Sequence, residues 1–174
     1  LTKTGLPING EPHLEPWLNF LHRMKNATKT VRIGLVGKYV ELPDAYKSIN
    51  ESLFQAATYN DRKLDLQYIH SEKLNSGNVD AMLSSLDGVL IAPGFGQRGI
   101  EGKFIALKYA REHDIPTFGV CLGMQCMVIE YARDVLGYTD ANSTEMDVTT
   151  KHNVIDLMEE QKSITNMGGT MRLG

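Results

Sequence analysis

Residues 115–137 read IPTFGVCLGMQCMVIEYARDVLG, and they combine an apolar run, a glycine-flanked cysteine and a helical pattern. Residues 115–120 form a mostly apolar run typical of a buried strand, and residues 122–136 follow as a helix closed by Gly137. Between them, residues 119–123 have the form G-x-C-x-G. This arrangement predicts a sharp strand-to-helix turn with Cys121 at its tip, the cysteine version of a nucleophile elbow.

The same alternation of strand and helix extends toward the N-terminus. Apolar strands are predicted at 31–36, 64–69 and 88–92, and helices at 45–59 (behind Asp44 as N-cap), 79–86 and 100–113. Strands without polar alternation, separated by helices, indicate a mostly parallel sheet with helices on both faces, a three-layer α/β fold. After Gly137 we expect a polar loop at 140–147 and weaker strands at 154–158 and 170–173. Residues 1–30 are predicted to be a connecting segment with one short helix beginning at Pro16, and residues 31–174 the domain itself.

Composition excludes several functional classes. The chain has 174 residues, of which 42% are hydrophobic, and these values suit one folded domain. Its net charge of −3 gives no sign of the basic surface that nucleic-acid binding needs. No apolar run approaches the ~20 residues of a membrane span, and no signal-peptide pattern is present. Two cysteines, Cys121 and Cys126, do not make a disulfide framework, so we expect a reducing, cytoplasmic location.

Two strand ends carry the chemistry. Residues 93–99, PGFGQRG, satisfy the dinucleotide-binding pattern G-x-G-x-x-G. That pattern normally follows the first strand and needs an acidic residue at the end of the next one, whereas here it follows the third strand and the next strand ends in Cys121. We therefore favour a glycine loop that brings backbone N–H groups to a ligand oxygen. At the other strand end, the helix N-terminus favours the Cys121 thiolate, and the Leu122 N–H points where an oxyanion would form. The alternative is a small buried cysteine, which is how we interpret Cys126. The cysteine pair, without a nearby histidine, predicts no metal site.

These motifs together resemble the glutaminase domain of CTP synthases, a class I glutamine amidotransferase domain with a flavodoxin-like sheet. The resemblance rests on five segments: IGLVGK (33–38), APGFGQRGIEGK (92–103), GVCLGMQ (119–125), DANSTE (140–145) and GGTMRLG (168–174). It runs from about Val31 to Gly174, and residues 1–30 resemble the interdomain linker of that family.

The resemblance implies that Cys121 attacks the carboxamide of L-glutamine and that backbone N–H groups of Gly94 and Leu122 hold the oxyanion. It assigns glutamine binding to Gly94, Leu122, Gly123, Met124, Gln125 and Glu145, and a mobile lid to residues 97–103. Ammonia would pass to an amidoligase domain of the same enzyme that aminates UTP to CTP, a ligase step of pyrimidine nucleotide biosynthesis. The resemblance implies no cofactor here; ATP and Mg²⁺ belong to that other domain, GTP acts as effector, and the full enzyme is a homo-oligomer.

One part of the family's pattern is missing. Class I members complete the catalytic triad with His-x-Glu downstream of the cysteine, whereas His152, the only histidine after Cys121, precedes Asn153-Val154. We therefore expect a piece truncated before the triad His and Glu, with little glutaminase activity by itself. Two alternatives stay open: another cysteine hydrolase or redox protein on the same elbow, and a non-catalytic fragment.

Overall fold

The computed structural model describes residues 2–5, 10, 12–42, 44–156 and 158. Its strands are β1 Lys29–Gly37, β2 Arg62–His70, β3 Gly88–Ile91, β4 Thr117–Gly119, β5 Asn142–Ser143 and β6 Asn153–Ile155. Its helices are α1 Glu15–Asn26, α2 Lys47–Tyr59, α3 Val79–Leu83, α4 Ile100–Glu112 and α5 Leu122–Asp134, and Thr2–Thr4 form a short 3-10 turn. Across the described ranges, none of these helices has the length and apolar character to cross a membrane.

The chain divides into two compact units, and the larger one comprises Arg32–Ala45 and the residues from Leu66 onward. Its main sheet has the strand order β2-β1-β3-β4. β3 pairs in parallel with β1, where Val36 faces Ile91, and with β4, where Ile91 faces Gly119. Every residue of β3 is buried, as expected for a strand without polar alternation in the middle of a parallel sheet. The predicted α/β class with a parallel sheet is confirmed.

The core of this unit lies between the sheet and helices α4 and α5. Ile100, Phe104 and Leu107 of α4 recur at the spacing of one helix face, and Leu122, Cys126 and Ile129 of α5 do the same. They pack in one cluster with Val36, Ile69, Val89 and Ile91 of the strands. Cys126 is completely buried, so its predicted place in the core is confirmed.

The smaller unit holds α1 and α2, within residues up to Val31 and Tyr46–Asp65. The predicted helix beginning near Pro16 is present as α1, with a proline in its first turn. Phe20 of α1 stacks on Trp17 at 5.5 Å between ring centroids and meets Phe54 of α2 edge-on at 6.3 Å. The predicted division into residues 1–30 and 31–174 stays a prediction.

Some local predictions are wrong. α2 begins at Lys47 with Tyr46 as its N-cap, two residues later than expected, and no side chain caps it, so Asp44 does not have the predicted role. The loop predicted at 140–147 contains β5, which pairs in parallel with β6. A two-residue strand is too short to show the alternation on which strand prediction depends. The strand predicted at 170–173 lies outside the described residues.

Candidate active site

Cys121 lies at the tip of the turn that joins β4 to α5. It is the N-cap residue of α5 and is exposed to solvent. Its backbone angles, φ 53° and ψ −112°, fall in a region that residues with a β-carbon rarely adopt. Strained backbone of this kind persists only where the surrounding structure enforces it, and it is common at functional sites. The predicted strand-turn-helix geometry is therefore present, with the thiol accessible at its apex.

The glycines on either side of Cys121 make this turn possible. A β-carbon on Gly119 would lie 2.5 Å from the backbone N of Met124, and one on Gly123 would lie 2.2 Å from the carbonyl O of Ile91. Both distances are far below van der Waals contact, and both involve backbone atoms that cannot move aside. The first glycine lets the chain fold back over the helix, and the second lets α5 begin directly against the end of β3.

A glycine loop, residues 92–96, follows β3 and approaches the elbow. Gly94 has φ +156°, and a β-carbon there would lie 3.8 Å from Cδ2 of Leu122 and 3.5 Å from Cε of Lys38. The loop is held at both ends: the Ala92 N–H donates to the carbonyl of Val36 at 2.9 Å, and the Lys38 ammonium donates to the carbonyl of Phe95. The predicted oxyanion residues, Gly94 and Leu122, are therefore neighbours.

The backbone N–H groups of Gly94 and Leu122 are available to a ligand. Among the described residues neither N–H donates to a protein acceptor, whereas the Gly123 N–H is occupied by the carbonyl of Val120 at 2.8 Å. The N–H groups in the first turn of an α-helix have no partner within the helix and attract negative charge. The Leu122 N–H is one of these groups, and the Gly94 N–H is a second donor, supplied by the glycine loop. Two donors next to an exposed thiol can stabilise an oxyanion on a carbon bound to sulfur.

The remaining predicted glutamine-binding residues lie in two places. Met124 and Gln125 belong to the first turns of α5; Met124 is exposed, and the side-chain Oε1 of Gln125 is buried with no hydrogen-bond partner among the described residues. A buried acceptor without a partner is costly, and a ligand donor would relieve it. Glu145 is exposed in the turn after β5. Its neighbour Met146 accepts a hydrogen bond from the side-chain Nε2 of Gln97 at 2.6 Å, which ties this turn to the segment after the glycine loop.

Residues 97–103 are not all loop, contrary to the lid expected from the resemblance. Only residues 97–99 precede α4, and a β-carbon on Gly102 would lie 1.7 Å from the carbonyl O of Ser71, so the first turn of the helix is packed tightly against the end of β2. Arg98 is bound at 3.5 Å to Glu72 and lies over the ring of Tyr39.

An open cavity of about 480 Å³ lies next to this region, but the nucleophile does not line it. Its walls come from α4 and the segment before it, from α5, and from β5 and the segment after it, namely Gln97, Ile100, Glu101, Phe104, Arg133, Asn142, Met146 and Asp147. The shape of this cavity therefore does not define a substrate site around Cys121. The site is defined by the elbow and the two free N–H groups.

The two cysteines differ in reactivity. Burial raises the pKa of the Cys126 thiol to about 11, so at neutral pH it is protonated and inert. Cys121 is exposed at the N-terminus of α5, so solvent and small molecules can reach its thiol. No group of histidine, cysteine and acidic side chains within the described ranges could hold a metal ion.

His152 is engaged away from the thiol. Its Nδ1 lies 2.6 Å from Oδ1 of Asp140, and its ring stacks on Tyr138 at 4.6 Å between centroids. The hydrogen bond from His152 is the main reason that the pKa of Asp140 lies below its ordinary value. Among the described residues, none of the contacts of His152 involves Cys121, and no side chain hydrogen-bonds to the thiol. The described part of the chain thus places the candidate nucleophile near two candidate oxyanion donors, with no candidate general base bonded to the thiol.

Comparison with known proteins identifies the family of this chain. The model of the glutamine amidotransferase class-I family matches residues 41–174. The chain therefore belongs to the class-I glutamine amidotransferase family. It is 70% identical over 174 residues to a CTP synthase of Bacteroides fragilis and 62% identical over 174 residues to one of Porphyromonas gingivalis. These matches cover 100% of this chain and 33% and 32% of the respective relatives, so the chain spans about a third of their length.

A solved structure defines which third it is. The glutaminase domain of Trypanosoma brucei CTPS, with bound acivicin, is 41% identical, with a TM-score of 0.69. The match covers 75% of this chain and 51% of that one. The resemblance to the glutaminase domain of CTP synthases, inferred from the sequence motifs, is confirmed.

Sequence reasoning missed the contacts that hold the glycine loop. Lys38 and Gln97 reach backbone carbonyls at positions distant in sequence, and only the fold brings them together. The sequence does contain a sign that Lys103 is unusual. Lys103, Leu107 and Ala110 share one buried face of α4, where a lysine is unexpected.

Proposed function

We propose that this domain hydrolyses L-glutamine to glutamate and ammonia through a thioester on Cys121. The observation that carries the proposal is the exposed Cys121 on a strained elbow beside two unoccupied N–H groups, those of Gly94 and Leu122. A cysteine hydrolase needs these two elements together, a nucleophile and preorganised donors for the charge that forms when it attacks.

The proposed reaction has two halves. The Cys121 thiolate attacks the carboxamide carbon, and the amide oxygen becomes an oxyanion that accepts hydrogen bonds from Gly94 and Leu122. The C–N bond then breaks, the nitrogen takes up a proton and leaves as ammonia, and a glutamyl thioester remains. Water attacks the thioester carbon, the C–S bond breaks, and glutamate leaves as the thiol is restored.

Substrate recognition and the general base complete the proposal. Glu145 suits the ammonium group of glutamine by charge, and the unsatisfied Oε1 of Gln125 suits a donor on the substrate. Class I members use a His-x-Glu pair as base, and we propose that such a pair from outside residues 1–174 accepts the thiol proton, because His152 is bound to Asp140.

The ammonia has a proposed destination. In the whole protein, a linked amidoligase domain would use it with ATP and Mg²⁺ to convert UTP to CTP, with GTP as effector, in a cytoplasmic homo-oligomer. The support is the similarity of the entire chain to one third of CTP synthases.

To test the proposal, the natural polypeptide is incubated with glutamine, and the glutamate and ammonia released are measured. Cys121→Ala is expected to remove the activity at least 1000-fold, a rough figure for loss of a covalent nucleophile. Cys126→Ala is the matched control and should keep most of it, because Cys126 is a core residue. Full activity in Cys121→Ala would exclude the thioester.

A chloroketone analogue of glutamine separates the proposal from the alternative of another cysteine hydrolase or redox protein. Selective labelling of Cys121, with protection by glutamine, supports an amidotransferase. Labelling that is indifferent to the glutamine side chain would favour the other cysteine chemistry, and an unlabelled, folded protein would favour a non-catalytic role.

A further inference from the structure

A buried lysine reaches the glycine loop from α4. Lys103 is 1% exposed, and its Nζ donates a hydrogen bond to the carbonyl O of Ala92 at 2.7 Å. Ala92 is the first residue of the loop, two positions before Gly94. Lys103 is thus connected to the proposed oxyanion hole through one hydrogen bond and two residues of backbone.

A lysine in this position is costly for folding. No carboxylate among the described residues pairs with Lys103, and burying a charged group without an opposite charge is unfavourable. Burial is the main reason that the pKa of Lys103 lies below its ordinary value; the neighbouring Lys38 acts in the same direction, and the Cys126 and Cys121 thiols oppose both. A methionine would fill a similar volume without this cost.

The hydrogen bond to Ala92 forms one half of a two-sided support. On the other side of Gly94, the Lys38 ammonium donates to the carbonyl of Phe95. The N–H of Ala92 is in turn fixed by the carbonyl of Val36. The peptide units 92–93 and 95–96, one unit away from Gly94 on each side, are therefore held, and the short segment between them has little freedom to change its path.

We propose that Lys103 is a positioning residue for the oxyanion hole: its hydrogen bond to the Ala92 carbonyl fixes the glycine loop so that the Gly94 N–H faces the carbon attacked by Cys121. This inference rests on the proposed glutaminase function. Because the Gly94 donor matters most when the oxyanion forms, loss of Lys103 lowers kcat more than it raises KM.

The test compares Lys103→Met, which removes the donor at similar size, with Lys103→Arg, which keeps a cationic donor. Lys108→Met is the matched control, because Lys108 lies exposed on the same helix. In the natural polypeptide, Lys103→Met is expected to lower kcat for glutamine hydrolysis about ten- to a hundredfold, with KM within about twofold, since removing an oxyanion donor outright costs about 10²–10³. Lys103→Arg restores part of the loss, and Lys108→Met has the wild-type rate.

Two controls keep the outcomes distinct. CTP formation from supplied ammonia bypasses Cys121, so it should be unchanged in Lys103→Met, which shows that the protein is folded. If that activity is intact and glutamine hydrolysis is also at the wild-type rate, the inference is overturned. If the wild-type protein hydrolyses no glutamine, the proposed function itself has failed, whatever the Lys103 variants do.

A second readout does not depend on turnover. A glutamine chloroketone alkylates through a tetrahedral adduct that uses the oxyanion hole, whereas iodoacetamide alkylates the thiol directly. Lys103→Met should slow chloroketone labelling of Cys121 at least tenfold relative to iodoacetamide labelling, on the same estimate. Lys103→Gln, shorter and uncharged, is the second variant should the first fail to fold, and an unchanged ratio in a folded Lys103 variant would overturn the inference.

Discussion

Replacing Cys121 by glycine should stabilise the fold while it removes the proposed nucleophile. At φ 53° and ψ −112°, a residue with a β-carbon is strained, and strain of this kind costs about 1–3 kcal/mol. Glycine adopts these angles freely but loses about 0.5–1 kcal/mol through the greater entropy of the unfolded chain. Because the side chain of Cys121 is exposed, little packing is lost. The net gain is about 1 kcal/mol.

The comparison that isolates strain is Cys121→Gly against Cys121→Ala, because alanine removes the sulfur and keeps the β-carbon. Urea unfolding followed by circular dichroism gives the two free energies of unfolding, provided that both variants have the same denaturant slope. We expect Cys121→Gly to be the more stable of the two by about 1 kcal/mol.

The same pair of substitutions at Cys126 is the matched control. Cys126 lies inside α5, where glycine is less stable than alanine by about 1 kcal/mol, so the order of the two variants reverses. If glycine is also the less stable residue at position 121, the elbow is not strained, and the fold does not hold Cys121 in a costly conformation.

Three further predictions concern the same turn and its neighbouring thiol. Gly123→Ala should lower the free energy of unfolding by about 1–3 kcal/mol in urea unfolding, because its β-carbon would lie 2.2 Å from the carbonyl of Ile91; unchanged stability would contradict that contact. Iodoacetamide at pH 8 should label Cys121 well before Cys126, as peptide mass mapping would show, and equal rates would contradict the burial of Cys126. The raised pKa of Cys126, about 11 against 9.0, means that the folded state holds this proton more tightly than the unfolded state. The contribution of this proton to the free energy of unfolding is therefore complete below pH 9 and is lost as the pH rises to 11. In Cys126→Ala, the free energy of unfolding should fall less over that pH range, by up to about 2–3 kcal/mol. An unchanged pH dependence in this variant would show that Cys126 does not cause the fall.

The elbow could be predicted from the sequence because its requirements are local. The elbow consists of an apolar strand, glycines at positions 119 and 123, and a helix, all within one short segment. Both glycines are required because a β-carbon at either position would collide with nearby backbone atoms. The parallel sheet was also predictable, since fully apolar strands such as β3 need cover on both faces.

Contacts between distant segments could not be predicted in the same way. The hydrogen bonds of Lys38 to Phe95, Gln97 to Met146 and Lys103 to Ala92 depend on where whole strands and helices pack. The start of α2 was misplaced because Asp44 has the residue type of an N-cap, while the helix begins after Tyr46 without any side-chain cap. Residue type alone gives a preference, and the surrounding fold decides whether it is used.

The proposed thioester on Cys121 can be sought directly as a covalent intermediate. The natural polypeptide is mixed with glutamine, quenched in acid during turnover, digested and analysed by mass spectrometry. We expect the peptide containing Cys121 to gain one glutamyl group that hydroxylamine removes. The peptide containing Cys126 should stay unmodified when cleavage separates the two. Sustained glutamine hydrolysis with no adduct on Cys121, and at an undiminished rate in Cys121→Ala, would contradict the proposed thioester.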